Sequence, residues 1–172
     1  MMRELRLDDP SLVGRSLVLS AGAGSGKTFA LTVLSTGTLG RGPLRPQDLL
    51  ATTFSEAAAA DLKGRLLRPL DLLSSLDAGA WAVGLPFLRA ADWAGFNGWL
   101  QSQAAPERLA KARTEVAAAA RLWSPAAGVL PEWMTAPDRA LDFWRRTRRE
   151  AELLRVATLH SHALAVLRQG RT

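Results

Sequence analysis

Residues 21–28 read Ala21-Gly22-Ala23-Gly24-Ser25-Gly26-Lys27-Thr28, a run of small residues closed by one lysine and one hydroxyl. Small residues let a backbone curl until its N–H groups point inward at a phosphate chain. Lys27 is long enough to reach the outer phosphates, and the hydroxyl of Thr28 is the kind of ligand that holds Mg²⁺. An apolar run precedes the loop and a helical pattern follows it, so the positive end of a helix is added to the cradle. The expected chemistry is binding of ATP with Mg²⁺. Ala21, Gly22, Ala23, Gly24, Ser25, Gly26, Lys27 and Thr28 are its binding residues, Lys27 and Thr28 its catalytic pair, and Thr28 the metal ligand.

Such a loop has to be held by a strand and a helix. Three short apolar runs read as buried strands, at residues 16–20 (SLVLS), 49–54 (LLATTF) and 155–160 (RVATLH). Each precedes a helical pattern, which is the alternation of an α/β fold with a parallel sheet. The first helix is expected to run from the loop to about Ser35, with a Gly- and Pro-rich loop over residues 36–46. The second follows Ser55, a good N-cap, and carries Ala58, Ala59, Leu62 and Leu66 on one face until Pro69 stops it. The third begins after His160 and carries Ala163, Leu164, Val166 and Leu167.

Between the second helix and the third strand lies an insertion of residues 70–150 that reads as helical. Leu109, Val116 and Trp123 fall seven apart in one helix, and residues 138–154 form another. All six tryptophans, Trp81, Trp93, Trp99, Trp123, Trp133 and Trp144, sit in this insertion. Tryptophans stack on bases in some nucleic-acid grooves, but core packing is their commoner role and is expected here. The run Trp144-Arg145-Arg146-Thr147-Arg148-Arg149 is either a phosphate-contacting face or a solvated helix face.

The net charge is +6, carried almost wholly by arginine, since Lys27, Lys63 and Lys111 are the only lysines. This balance suits a phosphate-bearing partner. The chain has no cysteine, which excludes disulfides and thiolate metal sites and fits a reducing cytoplasm. No apolar run is long enough to span a membrane, and no signal peptide is expected.

Two further stretches carry a family resemblance. The loop with Ala21 in its first position resembles that of superfamily 1 helicases. Residues 53–66, Thr-Phe-Ser-Glu-Ala-Ala-Ala-Ala-Asp-Leu-Lys-Gly-Arg-Leu, resemble the second motif of the UvrD family, Thr-Phe-Thr-x-x-Ala-Ala-x-Glu-Met-x-x-Arg-Ile. Thr53, Phe54, Ala58, Ala59 and Arg65 match outright. Residues 158–164, Thr-Leu-His-Ser-His-Ala-Leu, resemble the family's Thr-x-His-Ser-Phe motif, with His162 in place of the phenylalanine. The Glu56-Ala57 and Gly64-Arg65 pairs, the opening Leu7-Asp8-Asp9-Pro10, the long insertion and the lack of any glutamine before Gln47 resemble the RecB/AddA branch. The resemblance implies a RecA-like P-loop NTPase sheet and an ATP-dependent DNA helicase that moves on single-stranded DNA and unwinds duplexes in repair and recombination. It also implies Thr53, Phe54, Thr158 and His160 as DNA-side residues and other helicase-nuclease subunits as partners.

The expected organisation is a P-loop start at residues 1–69, the Trp-rich insertion at 70–150 and a return to the RecA-like domain at 151–172. No Asp-Glu pair occurs in the 172 residues. The carboxylates that hold Mg²⁺ and activate water are therefore missing, and the sheet is incomplete. The chain reads as the amino-terminal fragment of a helicase that binds nucleotide without turnover. An inactive nucleotide- or DNA-binding remnant, and another P-loop enzyme such as a kinase, are the alternatives.

Overall fold

The computed structural model describes residues 26–123 and 129–169. The expected strand at 16–20 and the loop residues Ala21, Gly22, Ala23, Gly24 and Ser25 lie outside the described residues. The elements run α1 (Lys27–Arg41), β1 (Leu50–Thr53), α2 (Glu56–Ser75), α3 (Ala78–Arg89), α4 (Trp93–Ser102), α5 (Ala110–Trp123), α6 (Pro137–Glu150), β2 (Arg155–Thr158) and α7 (Leu159–Gln169), with short 3₁₀ turns between. The described chain is therefore mostly helical, with one two-stranded parallel sheet, an arrangement compatible with an α/β fold. In that sheet Leu50 pairs with Arg155 and Thr53 with Thr158.

Three expected boundaries are corrected. α1 does not stop near Ser35 but continues to Arg41, where Gly42 closes it at φ 78° and donates its N–H to the Leu39 carbonyl. The glycines read as loop punctuation, Gly37 and Gly40, are buried inside this helix. α2 passes through Pro69 and ends at Ser75. A proline inside a helix costs about 3 kcal/mol, and burial of Pro69, Leu70, Leu72 and Leu73 offsets that cost. The strand expected to reach His160 ends at Thr158. The Thr158 hydroxyl oxygen accepts from the Ser161 N–H at 3.1 Å, so a helical turn begins where the strand pattern still read as extended.

The core is helical, and tryptophan builds it. Trp81, Trp99, Trp123, Trp133 and Trp144 are buried, and Trp93 packs against the cluster from its edge. Trp123, Trp133 and Trp144 meet with ring centroids 5.2–5.4 Å apart, close enough for edge-to-face attraction. α5 lies against α1 so closely that a β-carbon on Gly37 would meet Leu122 and one on Gly40 would meet the Trp123 indole. The Trp123 indole N–H donates to the Thr36 carbonyl at 3.2 Å, and that of Trp133 donates to the Gly40 carbonyl at 2.7 Å. α6 is amphipathic. It turns Ala140, Trp144 and Thr147 inward and leaves Arg145, Arg146 and Arg149 exposed. Arg148 of the same run ion-pairs with Asp71 on α2 and with Glu152.

Two glycine substitutions should separate close approach from helix propensity. Gly40→Ala should cost about 1–3 kcal/mol, the usual result of overpacking. Gly98→Ala lies at an exposed position of α4 with open space around it and should gain about 0.5–1 kcal/mol. Urea unfolding of the two variants checks this, and equal effects of the same sign would refute the role given to Gly40.

Candidate functional site

Gly26 precedes α1 with φ 82°, in the left-handed region where glycine carries no steric penalty. No side chain caps this helix, and its first turn holds no acidic residue. The dipole of the helix thus presents partial positive charge at this end, and no carboxylate of its own first turn neutralises it. Lys27 and Thr28 are the first two helical residues, Lys27 exposed and Thr28 half-buried. The Thr28 carbonyl accepts from the Thr32 hydroxyl at 2.9 Å, which fixes the first turn. This end of α1 fits an anionic ligand, and the Thr28 hydroxyl is a hard oxygen donor of the type Mg²⁺ takes.

The carboxyl ends of β1 and β2 gather the other sequence-selected residues. Thr53 and Thr158 are register partners at the last rung of the sheet. Thr53 is half-buried and Thr158 buried. Phe54, directly after β1, is 90 % exposed. His160 is exposed in the first turn of α7. A short polar chain joins the two helix starts behind them. Thr158 Oγ1 lies 2.7 Å from Ser161 Oγ, and Ser161 Oγ donates to Glu56 Oε1 at 3.3 Å. Ser55 caps α2 by accepting from the Ala58 N–H at 3.2 Å, as its position after the strand predicted. Phe54 and His160 are thus presented at neighbouring strand ends on turns capped by Ser55 and Thr158.

One set of residues was not singled out from the sequence. A cleft of about 360 Å³ between α1, α2 and α5 is lined by Thr28, Phe29, Arg65, Arg68, Lys111 and Glu115, among others. Glu115 is 8 % exposed, and its Oε2 has no hydrogen-bond partner. The signal was present in outline. Glu115 lies three residues after Ala112 and four before Ala119, on the buried face of α5, where a carboxylate is out of place. What the pattern could not supply was the partner helix that brings Arg65 and Arg68 opposite.

Burial pushes the Glu115 carboxyl above its ordinary value, while Arg68, Arg65 and Lys111 pull it partly back. The folded protein therefore holds this proton more tightly than the unfolded chain. The stabilisation this confers is present at acid pH and is lost as pH rises through the raised value. Glu115→Gln, which cannot ionise, should melt above the parent at pH 7, with the gap closing as the pH falls. A pH series of melting curves checks this. A gap that stays constant, or a variant less stable at pH 7, would remove the desolvation account.

Among the described residues no helix is long and apolar enough to cross a membrane, and no cluster of His, Cys, Asp or Glu is arranged to hold a metal ion by itself. No curated protein and no solved structure matches the chain. The family model of the UvrD/REP helicase N-terminal domain matches residues 7–171. That span takes in the glycine loop, the Thr53–Phe54 stretch, the helical insertion and the Thr158–His160 turn, and the chain belongs to the UvrD-like superfamily 1 helicases as their N-terminal domain.

Proposed function

We propose that the chain is the nucleotide-binding, DNA-contacting amino-terminal part of an ATP-dependent DNA helicase of the RecB/AddA branch, one that couples ATP hydrolysis to translocation on single-stranded DNA and to unwinding in repair and recombination. The observation that carries the proposal is the start of α1, where a left-handed glycine leads into a helix whose first turn bears Lys27 and Thr28 and holds no acidic residue. Read with the preceding Ala21–Ser25 stretch, it supports a P-loop of a RecA-like domain. The backbone N–H groups of Ala21, Gly22, Ala23, Gly24, Ser25 and Gly26 cradle the phosphates, Lys27 neutralises the outer ones, and Thr28 holds Mg²⁺. Bound Mg²⁺ supplies charge neutralisation at the phosphate chain.

The exposed Phe54 and His160, beside Thr53 and Thr158, support a track for a single strand. An exposed phenylalanine ring offers a stacking platform that accepts any base. The pairing of Thr53 with Thr158 sets the two turns at adjacent strand ends. DNA and further helicase-nuclease subunits are the partners this reading implies, and the cytoplasm its setting. Without an Asp-Glu pair among its 172 residues, the isolated chain lacks the carboxylate that activates water, and it should bind nucleotide without turnover.

Titration of the purified chain with ATP and Mg²⁺ should show binding that Lys27→Ala abolishes, with no hydrolysis above that variant, with or without single-stranded DNA. Absence of any Lys27-dependent binding would overturn the nucleotide assignment, and turnover would overturn the assignment of the missing carboxylate. Phe54→Ala should weaken binding of an oligothymidylate by about fivefold to a hundredfold with no change in melting temperature, because the ring is exposed. Unchanged affinity would remove Phe54 from the DNA track.

A further inference from the structure

Two pockets along α5 share Phe29 and Thr114 in their linings. The first is the cleft of about 360 Å³ where Arg65 and Arg68 from α2 and Lys111 from α5 converge on the buried Glu115. The second, about 530 Å³, is lined besides by Trp93, Asn97 and Gln101 from α4 and by Ala117, Ala118 and Arg121 from α5. Their chemistry is complementary. The first offers cations for a phosphate, and a buried carboxylate oxygen, Glu115 Oε2, that lacks a donor. The second offers a flat indole edge and two amide side chains, which can stack on and hydrogen-bond a planar heterocycle. Arg65 is already paired with Asp61 at 2.8 Å, which leaves Arg68 and Lys111 as cations whose nearby carboxylate is Glu115 itself.

We propose that this double pocket binds a nucleotide unit, with its phosphate against Arg68 and Lys111, a sugar hydroxyl or amino group donating to Glu115, and its base in the Trp93–Asn97–Gln101 pocket. The site is then shared between α2, α4 and α5 beside the glycine loop. Phe29 and Thr114, shared by both pockets, mark where the sugar lies. The pocket volumes fall within the range of small-ligand sites. Thr28 also lines the phosphate half, so the site adjoins the glycine loop, but the contacts proposed for it are those of Arg68, Lys111, Glu115 and Trp93 and not of Lys27. The unit is either a free mononucleotide or one residue of a single strand, since both present the same phosphate, sugar and base.

The test uses the 172-residue chain carrying Lys27→Ala, so that binding at the glycine loop does not contribute. AMP and an oligothymidylate are titrated separately by calorimetry. Two further changes are then added in turn, Arg68→Gln with Lys111→Gln for the phosphate half, and Trp93→Leu, which keeps apolar volume, for the base half. Melting curves confirm that each variant is folded, and Asn97→Ala stands in for Trp93→Leu if that change unfolds the chain. Binding that survives Lys27→Ala and falls about tenfold or more with the double Gln change, and several-fold with the base-side change, supports the site. Binding of AMP assigns it to a free nucleotide, and binding of the oligomer alone assigns it to a strand. No binding of either ligand in the Lys27→Ala chain, or binding indifferent to both halves of the pocket, overturns it.

Discussion

The close approach of α1 and α5 is the constraint on which the rest depends. Gly40 falls among the last four carbonyls of α1, which have no partner within the helix, and the buried indole of Trp133 supplies that partner. Trp123 donates one turn earlier to the Thr36 carbonyl, inside the helix ladder, which satisfies its own buried indole N–H. Both indoles would otherwise bury unpaired N–H groups, at a cost of about 1–3 kcal/mol for each bond left unmade. The geometry is possible only because Gly37 and Gly40 carry no β-carbon. Trp81 and Trp144 keep buried indole nitrogens with no hydrogen-bond partner, so packing alone holds them. That contrast marks Trp123 and Trp133 as the pair that positions α1.

The consequence appears at the other end of the same helix. A fifteen-residue helix is a rod of roughly 22 Å, so clamping its carboxyl end aims its amino end. α5 runs in the same direction as α1. Trp123 meets Gly40 at one end, and Lys111 and Glu115 share a cleft with Thr28 at the other. α5 therefore does two things. Its carboxyl end holds α1 in place, and its amino end puts charge beside Thr28, the residue proposed to face the phosphates.

The parts legible in sequence were those with local causes. The Ser55 cap, the start of α1 after Gly26, the strands through Thr53 and Thr158 and the burial of most of the tryptophans were expected from residue type and local pattern. What was hidden depended on distant partners. Gly37 and Gly40 carry the composition of a loop, and only Leu122 and Trp123, more than eighty residues away, explain why they are helical. Pro69 has the local character of a stop, and only the burial around Leu70, Leu72 and Leu73 carries the helix past it. Arg68, Lys111 and Glu115 are unremarkable on their own helices and acquire meaning only when α2 and α5 face one another.

Stability and candidate function are divided unevenly over the molecule. The helical core around the tryptophans is almost wholly buried, whereas α7 leaves Leu159, Leu164, Val166 and Leu167 exposed, and a two-stranded sheet is marginal by itself. The strand ends that present Phe54 and His160 are tied to the core mainly by polar links, the Thr158–Ser161–Glu56 chain and the Lys63 ammonium donating to the Glu152 carbonyl at 3.2 Å. Such links weaken before packed tryptophans do, so local opening at the sheet end costs less than opening of the core. A segment with that balance can adjust to a strand while α1 stays aimed. The two proposed ligand-facing regions are thus held by different forces, one by rigid packing and the other by a few hydrogen bonds that a ligand could rearrange.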